Sequence, residues 1–163
     1  MKKLVLLAGL LIVFSFGLTA CGSSDDSTEK KVTNKESAKD KKKSTTDVVF
    51  PEKELGQGKI ILKTESGSSE DDNVPFMYKD DDLLTPYIGF EAWEFDGSKL
   101  TYIYIDDGLN SKEQLANTQT SLDLTTSDYE TGVHEVKAVQ FDNDKETGKI
   151  ITCKTAKYEV KAK

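Results

Sequence analysis

The stretch Leu100-Thr-Tyr-Ile-Tyr-Ile105 decides the fold. Side chains alternate between the two faces of a strand, and here both sets are mostly aromatic or β-branched, so both faces are apolar. Such a segment is typical of a central strand rather than of an edge. The turn cluster Asp106-Asp107-Gly108 follows at once and ends it. We therefore place residues 100–105 at the centre of the fold.

Further strands are predicted before and after this segment. Turn signals recur about every 8–15 residues, which favours an all-β sandwich of about seven strands. Asp96-Gly97 predicts a two-residue hairpin, and residues 111–117 alone favour a helix, of one or two turns. In Ser121–Thr125, Leu122 and Leu124 are predicted to point inward. The other predicted strands are Lys59–Thr64, Tyr87–Phe95, Val133–Phe141 and Lys149–Val160.

One of these strands resembles a known family. Thr131-Gly-Val-His-Glu-Val-Lys-Ala-Val-Gln-Phe-Asp142 is similar to the Gly-x-His strand of bacterial immunoglobulin-like domains. In that family a hairpin then leads to a last strand ending in Tyr-x-Val, here Tyr158-Glu-Val160. The resemblance spans about residues 59–160 and implies an immunoglobulin-like β-sandwich over residues 48–163. It names no ligand, and the chain lacks the paired cysteines of antibody-type domains.

The charge of this domain limits its partners. From Asp47 onward there are 13 lysines against 24 aspartates and glutamates, hence a net charge of −11, and the chain contains no arginine. Because phosphate backbones need a basic patch, we expect no nucleic-acid partner. The acidity instead favours a cationic partner or Ca²⁺.

The segment before the domain is predicted to be a tether. Between residues 22 and 46 the only large apolar residue is Val32. Such a segment cannot bury enough apolar surface to offset the entropy of ordering it. A flexible coil of this length has an r.m.s. reach of roughly 25–30 Å. We therefore assign residues 21–47 to a disordered tether that begins with Cys21.

The first 20 residues have the pattern of an export signal. Lys2 and Lys3 precede an uncharged apolar run from Leu4 to Phe16. As a helix that run would span about 20 Å, which is short of the roughly 30 Å hydrocarbon core of a membrane. It is therefore predicted to be the apolar region of a signal peptide over residues 1–20.

The end of this signal resembles the bacterial lipobox. Leu18-Thr-Ala-Cys21 is similar to Leu-[Ala/Ser/Thr]-[Gly/Ala]-Cys. The resemblance implies a diacylglycerol joined to the Cys21 sulfur, with palmitate among its acyl chains, and cleavage between Ala20 and Cys21. The protein would then be lipid-anchored on the extracellular face of the cell membrane. An ordinary secretory signal or a short anchor helix is the alternative, and a messenger role for the released signal peptide stays open.

As a whole, the chain also resembles small surface lipoproteins of low-GC Gram-positive bacteria.

An acidic loop is the candidate metal site. In Asp142-Asn-Asp-Lys-Glu-Thr-Gly148 the carboxylates of Asp142, Asp144 and Glu146 occupy positions one, three and five, as at the start of an EF-hand loop. The turn glycine comes one position late, and Cys153 stands where the bidentate glutamate belongs. An acidic hairpin loop is the alternative. The clusters 70–72, 80–82 and 106–107 could converge on Ca²⁺ or simply cap turns.

Catalytic groups are few. Cys153 and His134 would lie on neighbouring strands, so a thiol–imidazole pair is conceivable. The simpler expectation is that Cys153 is a small core residue and that His134 is structural. The domain carries no phosphate loop or serine-nucleophile motif. We therefore expect no enzyme and no cofactor other than the lipid, with Ca²⁺ left open at the acidic loops.

Aromatic residues crowd between positions 76 and 104. Trp93, Tyr102 and Tyr104 are predicted to lie in the core, whereas Phe76 and Tyr78 are candidates for binding from an exposed loop. The leading hypothesis is an envelope lipoprotein whose domain binds a protein or peptide. The alternatives are an architectural or accessory subunit of a secretion or conjugation complex, and a Ca²⁺-dependent adhesin.

Overall fold

A computed structural model describes residues 47–163. The predicted signal peptide, Cys21 and most of the predicted tether lie outside the described residues. Within residues 47–163, no helix is both long and apolar enough to cross a membrane.

The described chain is a β-sandwich of nine strands in two sheets. The first sheet has the order β2-β1-β4-β7 and the second has the order β3-β9-β8-β5-β6. Two short 3₁₀ turns cover Glu70–Asp72 and Ser127–Tyr129. The strands are β1 Lys59–Thr64, β2 Gly67–Ser68, β3 Phe76–Tyr78, β4 Tyr87–Trp93, β5 Leu100–Ile105, β6 Gly108–Gln114, β7 Thr118–Asp123, β8 Gly132–Phe141 and β9 Ile150–Lys161.

Seven of these strands have six or more residues, which agrees with the number predicted. The other two, β2 and β3, are short edge strands. By their order in the chain and in the sheet, β1, β4 and β7 occupy the places of strands A, B and E of an immunoglobulin sandwich. On the same basis, β9, β8, β5 and β6 correspond to strands G, F, C and C′. Every pairing is antiparallel except that of β3 with β9, which is parallel.

The central position predicted for residues 100–105 is confirmed. Strand β5 pairs with β6 on one side and with β8 on the other. Its two faces serve two cores: Ile103 and Ile105 pack between the sheets, whereas Tyr102 and Tyr104 lie on the outer face of the second sheet. Leu122 and Leu124 are buried between the sheets, as predicted.

The outer core exists because the chain before β1 crosses it. Residues 48–58, which we call the N-terminal strap, run over the outer face of the second sheet. Val48 and Phe50 pack on the outer core, and Leu55 forms a two-way backbone bridge with Cys153. Gly56 has φ +70° and lies so close to β9 that a Cβ would sit 2.6 Å from the Ile151 carbonyl oxygen. The strap was not predicted from the sequence.

Three sequence-based predictions were wrong. Asp96-Gly97 does form a turn, with the Lys99 amide donating to the Asp96 carbonyl, but β4 and β5 lie in different sheets and do not form a hairpin. Residues 111–117 complete β6 and the turn to β7 rather than a helix. Trp93 is only partly buried, because it lies on the outer face of the first sheet and its indole donates to Glu91.

Candidate functional site

An open groove of about 900 Å³ lies at one end of the sandwich, between β3 and the adjoining ends of β1 and β4. Its volume is in the range of sites that hold ligands. Lys63, Glu65 and Lys163 stand at its rim. We call it the aromatic groove, and its apolar lining consists of Phe76, Met77, Tyr78, Leu83, Pro86, Tyr87 and Tyr129.

Strand β3 supplies one wall of the groove because its side chains alternate between its two faces. Met77 points inward and packs on the core between the sheets, so Phe76 and Tyr78 point to the other face. Tyr78 is 53 % exposed, and its ring lies edge-on to that of Phe76 at 5.5 Å. The predicted exposure of Tyr78 is confirmed. Phe76 is half-buried beneath the Lys161 ammonium group, 3.8 Å from the ring centre, and both residues lie on a strand rather than in a loop.

Hydrogen bonds fix β3 in place and occupy its free edge. The Ser66 hydroxyl accepts the Phe76 amide at 2.6 Å. The buried Tyr129 hydroxyl donates to the Tyr78 carbonyl at 2.9 Å and accepts the Asp80 amide at 3.1 Å. Because β3 has only three residues and one outward amide and one outward carbonyl are already bonded, a ligand here would be held mainly by side-chain contacts and not by adding a strand to β3.

The loop from β3 to β4 supplies the opposite wall. Pro86 is buried and anchors the loop, since its carbonyl accepts the Leu124 amide at 2.8 Å. Tyr87, the first residue of β4, is 64 % exposed, and Leu83 is also exposed. Exposed aromatic and leucine side chains that share one concave surface are typical of an interaction site.

The charges around the groove leave an acidic rim. Lys163 pairs with Asp80 at 2.7 Å, and its hydrogen bond holds the pKa of that carboxyl below its ordinary value. Lys63 is paired with Glu91. Glu65 lines the groove, and Asp81 and Asp82 lie beside it, between the lining residues Asp80 and Leu83. All three carboxylates are exposed and form no ion pair within residues 47–163. The unbalanced charge of the groove is therefore negative.

The structure does not assemble the candidate Ca²⁺ site. Each carboxylate of the β8–β9 loop has another partner: Asp142 accepts the Lys149 amide, Asp144 accepts the Leu100 amide, and Glu146 accepts the Tyr104 hydroxyl. These bonds direct the side chains to different neighbours: the Asp142 bond closes the hairpin, and the Asp144 and Glu146 bonds fasten it to β5. Across residues 47–163, no three His, Cys, Asp or Glu side chains lie close enough together to hold a metal ion.

Two of the remaining acidic clusters, 80–82 and 106–107, form backbone contacts near turns and pair with lysine. Asp80 accepts the Asp82 amide, and Asp106 accepts the Glu135 amide at 2.9 Å. Asp107 pairs with Lys137 at 2.8 Å. These contacts match the turn-cap alternative, and the predicted convergence on a cation is not seen among the described residues.

His134 is buried and fully engaged inside the fold. Its Nδ1 lies 2.7 Å from Asp106 Oδ2, and its Nε2 lies 2.7 Å from the Glu130 carbonyl oxygen. Its ring stacks on Tyr158 at 5.0 Å. These contacts fix the loop before β8 to the turn between β5 and β6, so the arrangement supports the structural role expected for this residue.

Cys153 does not pair with His134. Strand β8 places Val139 opposite Cys153 and His134 opposite Tyr158, so the two residues lie five positions apart along the ladder. They also face opposite sides of the sheet, with Cys153 in the outer core. Burial raises the pKa of the Cys153 thiol to about 11. The thiol is thus a packing group, as expected, and not an activated nucleophile.

Sequence reasoning identified only Phe76 and Tyr78 and missed the other residues of the groove, among them Leu83, Pro86, Tyr87, Tyr129 and Lys163. Tyr87 was assigned to a strand, and the strand pattern alone does not say that its first side chain is left uncovered. The consecutive leucines at 83 and 84 between acidic residues and a proline were an available signal, because an apolar pair in a polar loop needs a surface to contact.

Comparisons with known proteins add no relative. No protein-family model matches the chain, and neither the curated proteins nor the solved structures include a significant match. The site must therefore be interpreted from its own chemistry.

Proposed function

We propose that the chain is a lipid-anchored protein of the bacterial cell envelope whose β-sandwich binds a protein or peptide segment in the aromatic groove. The anchor part of the proposal rests on the lipobox-like Leu18–Cys21 and the apolar run before it. The binding part rests on one observation, the concave surface where Tyr78, Tyr87 and Leu83 are exposed together.

The chemistry of the groove defines the segment that it would bind. Apolar walls favour aromatic or branched aliphatic side chains, which would contribute most of the binding energy. The acidic rim of Glu65, Asp81 and Asp82 favours lysine or arginine next to them. We therefore propose a partner segment with apolar side chains flanked by basic residues.

A non-enzymatic role is part of this proposal. The two groups best suited to nucleophilic chemistry, Cys153 and His134, are buried, are held apart and serve the cores. The groove itself presents aromatic rings, lysines and exposed carboxylates without a base paired to a nucleophile among the described residues.

Site-specific photo-crosslinking in the native host tests the binding site. A photoreactive phenylalanine analogue replaces Tyr87 in the full chain, and a matched chain carries it at Val133, which is 60 % exposed but lies outside the groove. We expect a discrete adduct from position 87 that is absent from position 133. A synthetic peptide covering the adduct site should then compete with its formation.

The outcome that contradicts the proposal is equally specific. If positions 87 and 133 give the same adducts, or if neither gives one while the protein is present at the cell surface, the groove is not the binding site. The binding proposal would then fail, whether or not the lipid anchor is present.

A further inference from the structure

The two sheets have four edges, and three of them are protected against adding another strand. Strand β2 has only two residues, and β3 has only three, with its outward Phe76 amide bonded to Ser66 and its outward Tyr78 carbonyl bonded to Tyr129. Strand β6 carries Lys112 and Glu113 and has an irregular register with β5. Charges, short length and bulges are the usual means of keeping an edge from pairing.

Strand β7 has none of these protections. It is six residues long, and from Asn117 to Leu122 the sequence Asn-Thr-Gln-Thr-Ser-Leu has no charge and no proline. Its register with β4 is regular over all six pairs. A regular uncharged edge of this length is a template for pairing with another strand.

The backbone groups available on this edge can be identified. The Leu124 amide donates to Pro86, so by antiparallel alternation Leu122, Thr120 and Thr118 bond to β4. Gln119 and Ser121 therefore direct their amides and carbonyls away from the sheet. The Asp123 carbonyl has the same outward direction and is accepting the Asn110 side-chain amide at 2.8 Å.

The sandwich is also open beside this edge. A slot of about 220 Å³ separates β7 from β6. Thr120 is exposed although it has the same orientation as the buried Leu122, and the buried Ser111 hydroxyl in the slot has no hydrogen-bond partner within residues 47–163. The edge thus lacks the cover that a neighbouring strand would give to these side chains.

We propose that β7 pairs antiparallel with β7 of a second copy, about a twofold axis at Thr120. In that register Gln119 bonds with Ser121 of the second copy, and Ser121 bonds with Gln119, so both sets of outward backbone groups are used. Thr120 meets Thr120 in the central pair, where threonine pairs are favourable. The two four-stranded sheets become one sheet of eight strands.

The charge pattern of this edge permits a second copy as the occupant, because the repulsion between two acidic domains is smallest where the uncharged β7 strands meet. The domain carries a net charge of −11, so most of its surfaces repel an identical surface. The edge from Asn117 to Leu122 is uncharged, and this register sets Asp123 opposite Asn117 rather than opposite another carboxylate. Isologous pairing is therefore free of like-charge contact at the interface.

Disulfide trapping tests this register. Thr120→Cys and the control Glu113→Cys, an exposed residue on β6, are each introduced into the full chain with Cys21→Ser. Central pairs of this kind have Cα atoms about 4.5 Å apart, within disulfide range. Under mild oxidation we expect Thr120→Cys to form a covalent dimer at least about tenfold faster than Glu113→Cys. Equal rates, or capture of a different protein in place of a second copy, would overturn the proposal.

Sedimentation of the unlinked chain gives an independent readout. We expect the Cys21→Ser chain to dimerise more strongly at about 1 M salt, because screening weakens the repulsion between acidic domains. Thr120→Lys places two cations at the twofold axis and should leave a monomer with an unchanged melting temperature. A wild-type chain that stays monomeric at high salt, or a Thr120→Lys chain that dimerises as the wild type does, contradicts the proposal.

Discussion

Cys153 shows how a single residue can look reactive in sequence and be inert in the fold. It lies on β9 in the outer core, where the N-terminal strap covers it through Leu55. Burial raises the pKa of its thiol to about 11, so at neutral pH almost none of it is thiolate. The lone cysteine of the described chain therefore contributes packing, not redox or nucleophilic chemistry.

The thiol should accordingly resist modification. In the full chain with Cys21→Ser, we expect Cys153 to react with a thiol reagent at pH 8 at least about 100-fold more slowly than in denaturant, because both thiolate fraction and access are reduced. The measurement is the absorbance of the released chromophore against time. Reaction at the denatured rate without unfolding would show that the strap does not cover this residue.

The same shift has a consequence for stability at alkaline pH. The folded pKa of Cys153 lies above the ordinary value of about 8.5, so as pH rises the unfolded chain loses its proton first. The thiol's contribution to the free energy of unfolding is therefore complete below about pH 8.5 and falls as pH rises towards about 11. Cys153→Ala should show a shallower decline between pH 8.5 and 10, and equal slopes would contradict this account.

At the scale of elements, local patterns predicted the strands but not how they pair. The runs at 59–64, 100–105 and 133–141 are strands because apolar and β-branched residues recur there with strand periodicity. The hairpin expected at Asp96-Gly97 failed because that dipeptide favours a turn without deciding which strands flank it in a sheet. Residues 111–117 have helix-compatible local propensity, and pairing with β5 overrides it.

The N-terminal strap has no hydrophobic periodicity from which it could be predicted. Its one backbone bridge joins Leu55 to Cys153 of β9, and the rest packs through isolated side chains such as Val48 and Phe50. The strap covers residues that are distant in sequence. Without it, Tyr102, Tyr104 and Phe141 would expose their rings on the outer face of the second sheet. Similarly, the groove depends on β3 pairing parallel with a strand some 80 positions away, which one sequence cannot specify.

A substitution in the strap measures its contribution. Phe50 lies edge-on to Tyr104 at 5.0 Å, with the Lys137 ammonium group over its ring. We expect Phe50→Ala to lower the free energy of unfolding by about 2 kcal/mol, less than for a fully buried phenylalanine because Phe50 is half-buried. Val49 is 88 % exposed, and Val49→Ala should change the free energy of unfolding by less than about 0.5 kcal/mol. Equal effects in denaturant titrations would mean that the strap does not stabilise the sandwich.

At the scale of the whole molecule, the net charge of the domain was counted from its composition. The tether and the lipid anchor were predicted from the first 47 residues. The sandwich class followed from strand spacing, and the structure confirms it. The site was only partly predicted: Tyr78 belongs to the groove, whereas Asp142, Asp144 and Glu146 turned out to fasten a hairpin. Acidic spacing alone could not separate a cation site from a set of turn and strand contacts.

The proposed anchor makes a prediction for the full chain. Cys21→Ala removes the sulfur to which the lipid would be attached, so we expect the protein to leave the membrane fraction or to accumulate as uncleaved precursor. Immunoblots of cells, membranes and medium measure this, and Cys153→Ala is the matched control that keeps the anchor. A Cys21→Ala protein that is still processed and membrane-bound would contradict lipidation at this residue.

The central claim is that the aromatic groove binds a partner segment. The most direct test is the Kd of the synthetic peptide that covers the crosslinking site, measured for the wild type and for groove variants. We expect Tyr78→Ser together with Tyr87→Ser to weaken binding at least about 10-fold, since buried aromatic anchors each contribute about 2 kcal/mol. Val133→Ser, on an exposed position outside the groove, should change the Kd by less than about twofold. An unchanged Kd for the double variant, with its melting temperature preserved, would contradict the claim.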